Sequence, residues 1–202
     1  MEILIVLVVL LICMLFLAAV LNVWLIAVYV VEGKALHTIA RRRGFSAPWM
    51  AWIPFANAWL FGSISDQYQQ KVNGRVCKRG KTLLALKIAI QVHTNVAGIL
   101  AGVASSIVML LRMPTGGSVE DLLIILLVAV GIELIPTFAI VTVYDVVSYV
   151  AGYDLYASSK PKYAVLFLIL SILTPAVPFL IYACRNSDDG MPIQSQQEIE
   201  RG

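Results

Sequence analysis

The chain has 202 residues, of which 60% are hydrophobic and 13% are charged, and its formal net charge is +3. Soluble domains carry about twice that charged fraction, so the composition excludes an ordinary soluble protein and predicts a polytopic integral membrane protein. The basic residues lie in two short blocks beside apolar segments, which indicates a membrane surface and argues against nucleic acid as a partner.

Four apolar stretches are long enough to cross a hydrocarbon core about 30 Å thick. The first contains one polar residue, Asn22, and no basic residue precedes it. It therefore predicts a retained membrane span rather than a cleaved signal peptide. The four predicted spans cover approximately residues 3–31, 83–111, 122–147 and 163–183.

The predicted fold is all-α, with a single transmembrane domain over residues 1–184 and a flexible polar tail over residues 185–202. A short turn at residues 113–118 predicts that the second and third spans form an antiparallel hairpin. Pro175 and Pro178 are expected to kink or end the fourth span near its last third.

The placement of residues 34–70 decides the predicted topology. Residues 34–43 predict a short basic helix on the membrane surface, and Pro54 and Asn57 predict a break followed by a capped second helix. If residues 45–65 crossed the membrane, one basic block would face outward, against the positive-inside bias. We therefore predict four spans, an interfacial or re-entrant cytoplasmic segment over residues 34–70, and both termini outside.

The same segment carries a cluster of basic and aromatic side chains. Tryptophan favours the headgroup level of a membrane, and each arginine near an anionic surface contributes about 1 kcal/mol to binding. The cluster predicts either a docking surface for anionic lipid or a partner, or a plain anchor that fixes how the chain sits in the membrane. Its members are Arg41, Arg42, Arg43, Trp49, Trp52 and Trp59.

Residues 48–59 read PWMAWIPFANAW and follow the basic stretch ARRRG at residues 40–44. This pattern resembles small multi-pass bacterial membrane proteins of unknown function, which share a basic helix followed by a segment of the form Trp…Ile-Pro-x-Tyr-Asn. The resemblance covers about residues 34–66, and Ala56 stands where that group often has tyrosine. It implies the fold type and a bacterial cytoplasmic membrane, and it implies no activity.

Glu133 lies near the middle of the third predicted span, where ionisable side chains are rare and suggest a function. Helical arithmetic places Gln91, Thr94 and Asn95 at a similar depth on one face of the second span, and it places Thr137 on the Glu133 face. We predict a hydrogen bond from Gln91 or Asn95 to Glu133.

Two readings of this polar cluster are open. It either acts as polar glue between two helices, with Gly98 and Gly102 allowing close approach, or it forms a proton or cation relay. His93 is expected to project away from the face of the second span that carries Gln91, Thr94 and the two glycines.

The sequence contains no recognisable catalytic constellation. The three cysteines and two histidines have no metal-ligand spacing, and the stretch GRVCKRGKT has one residue too many for a phosphate-binding loop. We therefore expect no metal, no cofactor and no enzyme activity. The leading hypothesis is a non-enzymatic accessory or interaction subunit that acts through lipid and helix–helix contacts, with a protein partner or a second copy of the chain. The alternative is a small proton- or cation-linked transporter or channel-like protein that uses Glu133.

Overall fold

The computed structural model describes residues 2–112 and 119–192, and all regular secondary structure in these residues is helical. The predicted all-α class is therefore confirmed for the described chain. Two short 3₁₀ turns, Pro48–Trp52 and Pro161–Tyr163, connect the longer helices. The α-helices are α1 (Glu2–Arg42), α2 (Ala56–Asn73), α3 (Arg79–Arg112), α4 (Val119–Ser159), α5 (Ala164–Leu173) and α6 (Val177–Cys184).

Three helices are long and apolar enough to cross a membrane, over Val9–Arg42, Arg79–Ala104 and Glu133–Ser159 of the described residues. The prediction of four spans is not confirmed, because the predicted fourth span is divided into α5 and α6. Each of these helices has ten residues or fewer, and ten helical residues rise only about 15 Å. The break falls at Thr174, whose extended backbone suits the residue before a proline, so the predicted interruption near Pro175 is confirmed.

The basic stretch at residues 34–43 continues α1 instead of forming a separate surface helix. Its buried side chains include Leu36 and Ile39, and α1 packs here against α6 and the first 3₁₀ turn. The helix ends at Arg42. Two residues later, Gly44 has a left-handed φ of 73°, which glycine adopts without strain.

The chain does break at Pro54, and α2 then packs against α3 and α4. This helix is therefore built into the protein core, where an interfacial or re-entrant segment was expected. Leu60 and Ile64 are fully buried, and a Cβ atom on Gly62 would lie 2.6 Å from the Gly80 Cα atom of α3. The two helix backbones thus touch directly.

Helices α3 and α4 are antiparallel, as predicted. Arg79 at the start of α3 contacts Asp154 near the end of α4, and His93 further along α3 faces Glu133 on α4. The turn predicted at residues 113–118 lies outside the described residues.

Residues 185–192 pack against the rest of the protein, where a flexible tail was expected; residues 193–202 lie outside the described part. The backbone N–H of Gly190 donates to the Ser158 carbonyl at 3.0 Å. Arg42 donates to the Arg185 carbonyl at 3.1 Å. Arg42 and Arg185 were expected on opposite sides of the membrane, and the fold places them at the same end of the molecule.

The molecule therefore has two distinct regions. At the packed end, the last part of α1, the start of α3 and the end of α4 surround α2 and are flanked by α5 and α6. At the extended end, the first part of α1 and the remaining lengths of α3 and α4 project away from this core. Every α1 side chain from residue 9 to residue 27 is exposed.

Candidate functional site

The structure brings Glu133 and Thr137 together, as predicted, and adds His93 as their partner. The Glu133 Oε2 atom lies 3.6 Å from His93 Nε2, and the Thr137 hydroxyl lies 3.1 Å from the same nitrogen. Thr137 also donates to the backbone carbonyl of Glu133 at 2.8 Å. His93 projects away from the face of Gln91 and Thr94, as expected, and α4 lies against the His93 side of α3.

Gln91 and Asn95 do not bond to Glu133 in the described structure, so the predicted hydrogen bond was wrong. Both side chains are exposed on α3, as is Thr94, whose hydroxyl donates to the Ile90 carbonyl of its own helix at 2.9 Å. We call the face made by Gln91, Asn95, Gly98 and Gly102 the α3 stripe. A Cβ atom added to either of its glycines would have no neighbouring atom within 4 Å, so the stripe is not covered by the chain itself.

The predicted arginine cluster separates into one surface side chain and two that hold the C-terminal segment. Arg41 is exposed, whereas the Arg43 side chain has no exposed surface and donates to Asp188 at 2.8 Å and to Ser158 at 2.9 Å. Arg42 forms a second ion pair with Asp188 at 2.9 Å. Arg43 therefore cannot contribute to a lipid-binding surface. Burial lowers the pKa of its guanidinium, and the adjacent Asp188 carboxylate opposes that shift.

The three predicted surface tryptophans also differ in exposure. Trp49 and Trp52 are exposed, and Trp59 is half-buried against the core. The ring of Trp52 rests on Gly33 of α1, where a Cβ atom would lie 3.0 Å from its Cε3 atom. Tyr29 donates to the Trp52 carbonyl at 2.8 Å. The first 3₁₀ turn is therefore fastened to α1 while its tryptophans keep much of their ring surface outside.

Sequence reasoning missed a buried network around Asp154. Its carboxylate accepts hydrogen bonds from Ser65 at 2.8 Å, from Gln69 at 2.9 Å and from Arg79. The three donors come from two different helices, so no local spacing could identify the network. Its members satisfy one another, which indicates a structural role.

A second missed feature is a cavity of about 200 Å³ at the packed end. Glu32, Lys87 and Asp145 line it, and the Lys87 ammonium donates to Asn57 Oδ1 at 2.8 Å. The sequence signal was available, because ionisable residues inside long apolar helices are rare. What the sequence did not show is that residues from three separate helices reach the same cavity. We call it the Glu32–Lys87–Asp145 cavity.

Comparison with protein-family models, with curated proteins and with solved structures finds no match to this chain. The resemblance to small bacterial membrane proteins therefore stays a prediction. Within residues 2–112 and 119–192, no group of three or more His, Cys, Asp or Glu side chains has the arrangement to hold a metal ion.

Proposed function

We propose that this chain is a bacterial multi-pass membrane protein whose α1, α3 and α4 cross the membrane and whose packed end faces the cytoplasm. Support comes from charge, because basic residues cluster at the packed end. Helix α3 starts with Arg79 and Lys81, and seven more basic residues lie in the last part of α1 and in the segment that connects it to α3: Lys34, Arg41, Arg42, Arg43, Lys71, Arg75 and Lys78. In this arrangement α5 enters the membrane from the cytoplasmic side, and α6 returns the chain to the cytoplasmic side. The N-terminus is then outside and the described C-terminal segment is inside.

We further propose that the protein is a non-enzymatic interaction subunit that associates with a second copy of itself through the α3 stripe. The observation that carries this proposal is the exposure of Gln91 and Asn95 within an apolar helix whose small residues Gly98 and Gly102 lie on the same face. An amide that faces hydrocarbon without a hydrogen-bond partner is costly, and glycines let a neighbouring helix approach closely.

A second copy is the occupant that best fits this face. Each amide side chain is both a donor and an acceptor, so two copies of the stripe related by a two-fold axis can satisfy each other. Interhelical hydrogen bonds of this kind contribute about 0.6–2 kcal/mol each within a membrane. Two amides and a pair of close glycine contacts would all favour a dimer within a bilayer.

Anionic lipid is the second proposed partner. The exposed side chains of Arg41, Trp49 and Trp52 remain available for it, and they combine positive charge with rings that favour the headgroup level. This surface is smaller than the one the sequence predicted, because Arg43 is buried and Arg42 is paired with Asp188.

Cysteine cross-linking in native membranes tests the self-association. In a background with Cys13→Ser and Cys77→Ser, we expect Gly98→Cys to form a disulfide-linked dimer. Val103→Cys is the matched control, since it is exposed on a different face of the same helix. The added changes Gln91→Leu and Asn95→Leu should reduce the cross-linked fraction at position 98 severalfold. Equal cross-linking at positions 98 and 103, or none at position 98, would contradict the proposal.

A proton- or cation-linked transporter is the second candidate, and the contact between Glu133 and His93 favours it. The pair lies between two candidate membrane spans, and its side chains are partly exposed. In liposomes with an imposed cation gradient and an internal pH dye, this function requires a proton-linked flux that Glu133→Gln abolishes. If the pair only holds α3 and α4 together, the amide keeps the contact and the variant shows no change in flux.

A further inference from the structure

The Glu32–Lys87–Asp145 cavity brings charged groups from α1, α3 and α4 to a common interior space. Side chains of α2, α5 and α6 complete its wall, so six helices contribute to it. Its volume of about 200 Å³ corresponds to roughly seven water molecules at liquid density. The fold therefore encloses enough room for a small molecule next to ionisable side chains.

The charges in the cavity do not cancel. The Lys87 ammonium already has partners within the chain. It donates a hydrogen bond to Asn57 at 2.8 Å, and it interacts electrostatically with the Glu32 carboxylate. Asp145 has no basic group of the described residues within 4 Å. The cavity wall thus carries two carboxyl groups and one ammonium, and the ammonium interacts with Glu32, so Asp145 is the carboxyl group left for a second cation.

Apart from Ser148 and Ser171, the remaining lining of the cavity is aromatic and apolar. Tyr144, which precedes Asp145, and Tyr149, which follows it by four residues on α4, line the cavity, and Tyr156 forms part of the same wall. Tyr156 is held in place by a 2.9 Å hydrogen bond to Ser171. The faces of tyrosine rings attract cations, above all the weakly hydrated ammonium groups of organic molecules.

We propose that the Glu32–Lys87–Asp145 cavity binds a small organic ammonium ion, with Asp145 as its counter-ion and Tyr144 and Tyr149 as its aromatic wall. The proposed ligand contacts none of the four residues that define the α3 stripe. Binding therefore does not require self-association, and the two proposals can fail separately.

Choline and its neutral carbon isostere, 3,3-dimethyl-1-butanol, test the charge requirement. The purified full-length protein in detergent is dialysed to equilibrium against radiolabelled choline, and unlabelled compounds compete for the site. We expect choline to bind at least tenfold more tightly than the isostere. Equal competition by 3,3-dimethyl-1-butanol, tighter binding of the zwitterion glycine betaine, or no measurable choline binding would overturn the assignment.

Variants then test the named residues. Asp145→Asn keeps the size of the side chain and removes its charge, so we expect at least a tenfold loss of choline affinity. Tyr149→Phe retains the aromatic face and should bind nearly as well as the unmodified protein, whereas Tyr149→Leu should bind severalfold more weakly. Unchanged affinity in Asp145→Asn would refute the proposal. Thermal unfolding shows whether the Asp145→Asn variant is folded. If it is not, the choline affinities of Tyr149→Phe and Tyr149→Leu are compared instead. Equal affinity in these two variants would refute the proposal.

Discussion

The packed end and the extended end of this molecule differ in whether their polar side chains are buried and hydrogen-bonded within the chain. At the packed end, Asp154 and Arg43 are buried, and each bonds to several side chains from distant parts of the chain. At the extended end, Gln91 and Asn95 are equally polar, and they project from the helix surface without covering neighbours.

The difference reflects the surroundings in which each region is stable. A helix that is apolar on all sides needs no protein neighbour inside a bilayer, since lipid covers it at no cost. The packed end contains ions, amides and hydroxyls that lipid cannot satisfy, so it has to close around them as a soluble core does. Substitutions at the packed end should therefore reduce the stability of the monomer, whereas substitutions on the exposed surface of the extended end should leave it unchanged.

The largest effect is expected at the packed end, from Asp154→Ala. The substitution leaves the Arg79 guanidinium, Ser65 and Gln69 without their shared acceptor, and removing one member of a buried ion pair costs about 3–5 kcal/mol. Thermal unfolding in detergent should show a large fall in the midpoint temperature. Asp189→Asn is the matched control, since its side chain is exposed, and it should unfold like the unmodified protein. Equal stability of the two variants would contradict the structural role of Asp154.

A smaller effect is expected from glycine substitutions made in both regions. Gly62→Ala places a Cβ atom 2.6 Å from the Gly80 backbone, and this overpacking should cost about 1–3 kcal/mol. Gly98→Ala adds its methyl group to open space, so the monomer should keep its full stability. Thermal unfolding of the two variants, measured in the same detergent, compares them directly. A destabilised Gly98→Ala monomer would mean that the stripe is covered within the chain.

The smallest perturbation is chemical labelling of the native cysteines. Cys184 is buried at the packed end, and burial raises the pKa of its thiol to about 11. Only the thiolate reacts, so at pH 8 about one Cys184 thiol in a thousand is reactive in the folded protein. We expect maleimide to label the partly exposed Cys77 within minutes and to spare Cys184 until the protein is denatured. Labelling of Cys184 should quicken as the pH rises towards 11. Rapid labelling of native Cys184 at pH 8 would show that α6 is not packed as described.

Local sequence chemistry was enough to predict several elements of the fold. Proline removes a backbone donor and restricts the residue before it, so the interruptions at Pro54 and Pro175 were predictable. The antiparallel pairing of α3 and α4 followed from a connection too short for any other arrangement. The rarity of carboxylates inside long apolar helices drew attention to Glu133, which contacts His93 of the neighbouring helix.

The errors share one cause. Periodicity placed Gln91 and Asn95 on one face of α3 and His93 on another, and this assignment was correct. It did not show which face α4 covers, and so the partner of Glu133 was misidentified. Similarly, hydropathy joined α5 and α6 into one span, because it measures how apolar a stretch is and not where the chain turns back.

By itself, the sequence determined that the chain has segments long and apolar enough to cross a membrane, that it is helical, and at which prolines its helices are interrupted. These properties depend on transfer free energies and backbone geometry within a few residues. Only the tertiary structure decided that the end of the chain returns to Arg43, that Asp154 gathers donors from α2 and α3, and that three charged residues share a cavity. Such contacts join residues that are distant in the sequence, and their free energy depends on mutual orientation, which no local pattern of amino acids encodes.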